Sequence, residues 1–170
     1  TCFISYMEMI SKKYHKKYPF FQVIVQQWVI DNLNNSPQLK NRLKQVMEPY
    51  YPNVWIVSSD SKDSFFEGEG NSLILRGDIL PKPRLEFISL MKYSVEDILL
   101  TGDQSITDCL SISSDKRIWY QIAPWKTDFA TNLAKVIPDK NIESFKTTCG
   151  TLQGLHQTKD YKPFLKQYDF

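Results

Sequence analysis

Apolar residues recur at helical spacing through the first third of the chain. They form two series, Phe3, Met7, Ile10 and Tyr14, and then Leu39, Leu43 and Met47. Intervals of three and four residues place the members of each series on one face of a helix. Pro19 and Pro37 mark helix boundaries. We therefore predict a helical N-terminal segment over residues 1–50.

The stretch 20–33 inside this segment allows two interpretations. The β-branched run at 23–25 suits a strand. Ile24, Trp28 and Leu33 also suit one face of a buried helix. The pattern does not decide between the two.

Beyond Pro52, short apolar runs alternate with amphipathic stretches. The runs predicted as strands are 54–57, 72–75, 98–100 and 118–122. The predicted helices carry apolar stripes at Leu85, Ile88 and Met91, at Ile106, Cys109 and Leu110, and, after Pro124, at Trp125, Phe129, Leu133 and Val136. Alternating strands and helices are typical of a mainly parallel sheet with helices on both faces. We therefore predict an α/β, Rossmann-like domain over residues 51–170, with a less regular tail beyond Pro138.

Composition narrows the class of protein. The 170-residue chain is 42% apolar and has a formal net charge of +2, which fits a globular protein and does not indicate nucleic-acid binding. The basic run at 12–17 is typical of a solvated helix face. Cys2, Cys109 and Cys149 lack the spacing of a disulfide framework or a zinc site, so we expect a reducing, cytoplasmic location. No apolar stretch approaches the roughly 20 residues that cross a bilayer, so we predict no membrane span.

Both ends of the sequence suggest a piece of a larger protein. The chain begins with Thr1 instead of methionine and finishes on an aromatic-rich stretch at 164–170. We expect an N-terminal partner domain in addition to the residues given.

The candidate chemistry lies where the apolar run at 98–100 breaks. Gly102 follows it at once, and Asp103 and Ser105 then supply short side chains that suit the start of a helix. A glycine lets the backbone turn tightly and approach a ligand. The open N-terminus of a helix at the carboxyl edge of a sheet is a favoured place for a phosphate group. Asp108 adds a carboxylate that could accept two ribose hydroxyls.

The sequence around this corner resembles a known family. Phe87-Ile88, Met91, Asp97 and the stretch 102–108 are together similar to the nucleotide-sugar half of the GT-B glycosyltransferases. The types most alike are the cell-wall N-acetylglucosamine transferase and the protein-arginine rhamnosyltransferase. The resemblance covers roughly residues 54–137 and includes the stretch 129–134 as the family's closing helix.

The resemblance implies a donor site for a UDP- or dTDP-linked sugar that needs neither metal nor a further cofactor. Its implied residues are Arg76, Phe87, Ile88, Gly102, Asp103, Gln104, Ser105, Asp108 and Asn132. Phe87 and Ile88 would lie against the base. Ser105 and the amides after Gly102 would bind the diphosphate together with Arg76, Asp108 would bind the ribose, and Asn132 would lie near the sugar. No catalytic base is assigned, because in this family it usually belongs to the acceptor-side domain.

Two alternatives remain open. Lys82-Pro83 and the pattern Gly102-Asp103 to Asp108 also resemble the latter half of haloacid-dehalogenase-like phosphatases, which need magnesium and an upstream Asp-x-Asp nucleophile. The sequence has no such pair in the required place. The second alternative is a non-catalytic Rossmann-like domain that serves as an interaction module.

Overall fold

The chain forms two units, each with its own four-stranded sheet. The structure is a computed structural model, and it describes residues 2–112, 116–120, 128, 132, 142–147 and 150–156. The first unit is Met7–Lys82, and the second combines Thr1–Tyr6 with Pro83–Phe170. Helix α1 (Cys2–Tyr14) contributes residues to both. None of the helices in these ranges is both long and apolar enough to cross a lipid bilayer.

The first unit contains three helices and a mostly parallel sheet. After α1 come β1 (Phe20–Ile24), α2 (Gln27–Asn35), α3 (Pro37–Met47), β2 (Asn53–Val57), β3 (Lys62–Phe66) and β4 (Ser72–Arg76). The strands lie in the order β1-β4-β2-β3. β4 pairs in parallel with both β1 and β2, whereas β3 is antiparallel to β2.

Local sequence explains where these elements begin. The Ser36 hydroxyl accepts a hydrogen bond from the Leu39 amide at 3.4 Å, and Pro37 occupies the first turn of α3. Both features favour a helix start, because the cap satisfies an amide that has no partner within the helix. Leu43 and Met47 then lie fully buried on one face of α3, as their spacing predicts.

One face of the first sheet is deeply buried. Val54, Leu73 and Leu75 are each 0% exposed, and the residues between them along the strands are only half-buried. Burying a side chain of this size contributes about 1.5–3 kcal/mol. This alternation places one face of the sheet in the core.

A cluster of aromatic rings packs around Phe21 of β1. The Tyr14 ring stacks on Phe21 at 5.5 Å between ring centroids, and Phe21 lies 6.2 Å from the Tyr51 ring. The buried Tyr51 hydroxyl donates to the Tyr18 carbonyl at 2.9 Å. The cluster therefore links α1, β1 and the segment that enters β2.

The structure resolves the ambiguity at 20–33, corrects one expectation and adds one strand. The stretch is a strand followed by a helix, so residues 1–50 are not wholly helical. β1 forms because its residues pair with Ser72–Arg76, which is distant in sequence. Residues 62–66 were not predicted as a strand, yet they form β3. The polar residues 58–61 close the hairpin from β2 to β3, in which the Ser58 amide donates to the Ser61 carbonyl at 2.9 Å.

The second unit contains the predicted strand-helix-strand segment. Its elements are α4 (Arg84–Tyr93), β5 (Asp97–Leu100), α5 (Asp103–Ile112), β6 (Arg117–Tyr120), β7 (Ile142–Thr147) and β8 (Gly150–His156). The strand order is β5-β6-β8-β7. β5 and β6 are parallel, with α5 as their connection, while β8 is antiparallel to β6 and to β7.

The core of the second unit confirms most of the predicted stripes. Ile88, Met91, Ile106, Cys109 and Leu110 are all buried, together with Leu100 and Ile118 of the two parallel strands. Leu85 is an exception: it lies on the outer face of α4 and is 65% exposed. The predicted helix after Pro124 lies outside the described residues except for Asp128 and Asn132, both helical and exposed. The tail, expected to be less regular, includes the β7–β8 hairpin.

Hydrogen bonds from buried side chains hold β5 and the residues just before it in place within this unit. The Asp97 carboxylate accepts a hydrogen bond from the Trp119 indole at 2.8 Å, and its carbonyl accepts one from the Tyr6 hydroxyl, also at 2.8 Å. Burial, together with the nearby Asp97, raises the pKa of Tyr6. The buried Lys116 ammonium donates to the Ser94 carbonyl at 2.7 Å. These bonds satisfy groups that would otherwise be costly to bury.

We predict that Gly77→Ala destabilises the protein. A Cβ at this position would lie 2.8 Å from Ile30 Cγ1 and 2.9 Å from Gln27 Oε1, and Ile30 is fully buried. Overpacking of this kind typically costs about 1–3 kcal/mol. Gly102→Ala is the matched control, because its Cβ would approach nothing closer than Ser105 Oγ at 3.6 Å. Urea unfolding that shows equal losses for the two variants would contradict this account.

Alkaline pH should also destabilise the fold through Tyr51. Burial raises the pKa of this hydroxyl from 10.0 to about 12. Between these two values the unfolded chain ionises first, so the free energy of unfolding decreases as pH rises. Tyr51→Phe has no proton to lose there, and we expect a flatter pH profile together with a loss of about 1 kcal/mol near neutral pH. Parallel profiles for the two proteins in denaturant titrations would reject this explanation.

Candidate functional site

The corner between β5 and α5 opens on the protein surface. The Ile106 amide donates to the Gly102 carbonyl at 3.1 Å, which makes Gly102 the residue just before the helix. The first amides of a helix have no acceptor within it. Thr101, Asp103 and Gln104 are exposed, so the described residues leave this end of α5 accessible to solvent. The end carries the positive part of the helix dipole.

Gly102 is suited to this corner by its size. Its φ is not in the left-handed region, which among the glycines described only Gly70 adopts. The corner therefore does not depend on the left-handed backbone conformation that glycine adopts readily. A Cβ would meet only Ser105 Oγ, at an ordinary contact distance of 3.6 Å. What the glycine provides is room for another molecule to approach the backbone.

Asp108 lies one turn beyond the start of α5 and is almost completely buried. Its Oδ1 accepts hydrogen bonds from Arg84 Nη2 at 2.6 Å and from Gln104 Nε2 at 3.0 Å. Its Oδ2 lies 3.4 Å from Arg84 Nε, so the guanidinium contacts both oxygens. The Asp108 side chain is 3% exposed and that of Arg84 is 51% exposed. The carboxylate therefore positions a half-exposed cation beside the first turns of α5.

Arg84 was missed by the sequence analysis. It is the first residue of α4, directly after Pro83. A cation at the N-terminus of a helix is unfavourable in the field of that helix. This unfavourable placement was the available signal, because it indicates that a carboxylate elsewhere pairs with the side chain.

The residues that the resemblance implied have different environments in the structure. Gln104, Ser105 and Asp108 share α5 with the corner, but Asp108 is engaged by Arg84 and Gln104. Ile88 is 4% exposed within the core cluster, and Phe87 packs against that cluster. Their side chains fill the α4 interface because residues on this face of the helix pack toward β5 and α5.

Arg76 and Asn132 have surroundings of their own. Arg76 belongs to the first unit, where its Nε and Nη2 donate to the two oxygens of Asp78 at 2.8 and 2.7 Å. These bonds hold the pKa of the Asp78 carboxyl below its ordinary value. Asn132 is an exposed helical residue whose neighbours in the chain lie outside the described ranges. In the second unit, the cation adjacent to α5 is Arg84.

In the described ranges no cluster of three or more His, Cys, Asp or Glu side chains has the arrangement of a metal site. Both Asp108 oxygens already contact a guanidinium, which is a different environment from that of a magnesium ligand. The corner geometry therefore suits an anion better than a metal.

Comparison with known proteins found no match to this chain, whether among protein-family models, curated proteins or solved structures.

We predict that Arg84 and Asp108 are energetically coupled. A double-mutant cycle built from Arg84→Ala, Asp108→Ala and their combination should give about 1–3 kcal/mol, because Arg84→Ala removes the guanidinium from a carboxylate that is only 3% exposed. The control cycle is Lys44 with Glu48, an exposed pair at 3.8 Å, for which about 0.5 kcal/mol or less is expected. Chemical denaturation measures both cycles, and equal coupling would show that Arg84 is not anchored.

Proposed function

We propose that the second unit binds the diphosphate of a nucleotide sugar at the β5–α5 corner, and that the chain is the donor-binding part of a glycosyltransferase. The observation that carries the proposal is the Arg84 guanidinium, anchored by Asp108 beside an open helix N-terminus. Two sources of positive potential converge there, and a diphosphate is the anion that such a pair suits.

The local topology supports this proposal. β5, α5 and β6 form a parallel strand-helix-strand unit, and Gly102 follows the carboxyl end of β5. In open α/β sheets ligands bind at this end of the strands. We therefore also propose that the second unit is a Rossmann-like domain whose sheet is extended by the antiparallel strands β8 and β7.

The chemistry assigns a distinct role to each residue of the corner. The amides at the start of α5 would donate hydrogen bonds to one phosphate, and Gly102 would let it come close to the backbone. Arg84 would pair with a second phosphate oxygen. Asp108 is a positioning residue, since its contacts are to Arg84 and Gln104. Asp103 opposes the phosphate charge, but it is exposed and solvent weakens that repulsion.

In sugar transfer, negative charge develops on the diphosphate as the bond to the anomeric carbon breaks. Groups that stabilise the departing charge lower the barrier. Arg84 and the α5 amides would do this for a diphosphate bound at the corner. The base that would take the acceptor's proton is not assigned to any residue.

The test is calorimetric titration of the protein with UDP, dTDP, GDP and their sugars. We expect one diphosphate series to bind more tightly than about 1 mM, with Arg84→Gln weakening binding roughly tenfold through loss of a charge-assisted contact. Arg76→Gln is the matched control, because this arginine is paired in the first unit. Gly102→Ala should weaken binding while leaving the folded state nearly as stable.

The alternatives give different outcomes in the same titration. Binding that requires magnesium would favour the phosphatase-like site. An absence of binding by every nucleotide in the panel would overturn the donor site and leave the interaction module.

A further inference from the structure

The two edges of the first unit's sheet differ in how they are protected. β3 carries the charged residues Lys62 and Asp63, and its pairing with β2 shifts register between Val54 and Trp55. Charges and register irregularities are the usual means of preventing a sheet edge from pairing with another chain. β1, at the opposite edge, has the sequence FFQVI, with no charged residue and no such irregularity in its pairing with β4.

The hydrogen bonds of β1 show which groups face outward. The Val25 amide donates to the Arg76 carbonyl at 2.9 Å, and the Pro19 carbonyl accepts from the Ser72 amide at 2.8 Å. The backbone polar groups of the odd-numbered residues, from the Pro19 carbonyl to the Val25 amide, therefore face β4. In a parallel ladder the alternate positions face the other way, so the backbone groups of Phe20, Gln22 and Ile24 point away from the sheet.

The side chains at these positions add apolar surface to the edge. Phe20 is 54% exposed and Ile24 is 36% exposed, although both are large hydrophobic residues. They flank Gln22 symmetrically at two residues on either side. When two copies of such a strand run antiparallel with Gln22 opposite Gln22, each Phe20 lies opposite an Ile24.

We propose that β1 pairs with β1 of a second copy of this chain, antiparallel about a twofold axis at Gln22. Each Gln22 then lies opposite its counterpart, and each Phe20 lies opposite Ile24 of the other copy. The outward amides and carbonyls of these three residues become paired. An aromatic side chain opposite a β-branched one is a favourable cross-strand contact.

Charge supports the antiparallel direction. Lys16 and Lys17, both exposed, precede the amino end of β1, and Lys12 and Lys13 lie one turn earlier on α1. Asp31 is exposed on α2, which follows the carboxyl end. Antiparallel pairing brings the lysine-bearing end of one copy toward the end of the other that is followed by Asp31, whose carboxylate also accepts from Gln27 Nε2. Parallel pairing would instead bring the two sets of lysines together.

The register is tested by cross-linking. Residues in a hydrogen-bonded antiparallel pair have Cα atoms about 5.5 Å apart, within the range for a disulfide. Gln22→Cys should therefore give a covalent dimer on mild oxidation. Phe20→Cys is the matched control and should give none, because its counterpart lies about four residues away along the strand. The wild-type chain, with Cys2, Cys109 and Cys149, sets the background. Equal cross-linking by both variants would reject the register.

The association itself is tested by sedimentation velocity of the whole chain. At about 100 µM we expect a species of twice the 19.9 kDa chain mass. Gln22→Pro should raise the dimer dissociation constant at least about tenfold, because proline removes an outward amide that β4 does not use. Gln22→Thr, which keeps this amide, should raise it less. Increasing the salt concentration should weaken the dimer.

Two results would overturn the proposal. The first is a monomer at this concentration, which would leave the edge to a strand from a different protein. The second is a dimer that Gln22→Pro does not weaken, with circular dichroism showing that the variant is folded.

Discussion

The arrangement of the second unit depends on one buried carboxylate. Asp108 projects from α5 into a site where 3% of its side chain is exposed, and such a group is stable only when donors surround it. Arg84 and Gln104 supply those donors. The start of α4 is thereby tied to the second turn of α5, and the guanidinium is oriented beside the exposed corner. The contact that satisfies a buried charge also places a cation where an anionic ligand would bind.

In the first unit the corresponding constraint is the parallel pairing of β4 with two strands at once. Leu73 and Leu75 of β4 are fully buried at the centre of the sheet, between β1 on one side and β2 on the other. Parallel strands need a crossover connection. α2 and α3 form the crossover from β1 to β2, which lie on either side of β4 in the sheet. The hairpin from β2 to β3 places a charged strand at one edge. Among the described strands, β1 forms the other edge, with alternate backbone groups directed away from β4.

The two proposals rest on different physical properties and on different units. Diphosphate binding depends on electrostatics, since a helix end and an oriented guanidinium both favour negative charge. Strand pairing depends on backbone hydrogen bonds and apolar contacts at β1. Either could fail without affecting the other.

Local sequence determined much of the secondary structure. The spacing of Met7 and Ile10, of Leu43 and Met47, and of Ile106 and Leu110 located three helices, because a helix buries every third or fourth residue. The end of the apolar run 98–100 also located the corner at Gly102. Only the tertiary structure could decide that 20–24 is a strand, because its partner Ser72–Arg76 lies some fifty residues away. It likewise decided that Asp108 pairs with Arg84, 24 residues apart, and that Ile88 packs in the core cluster. These outcomes depend on which distant groups meet, and no local pattern contains that information.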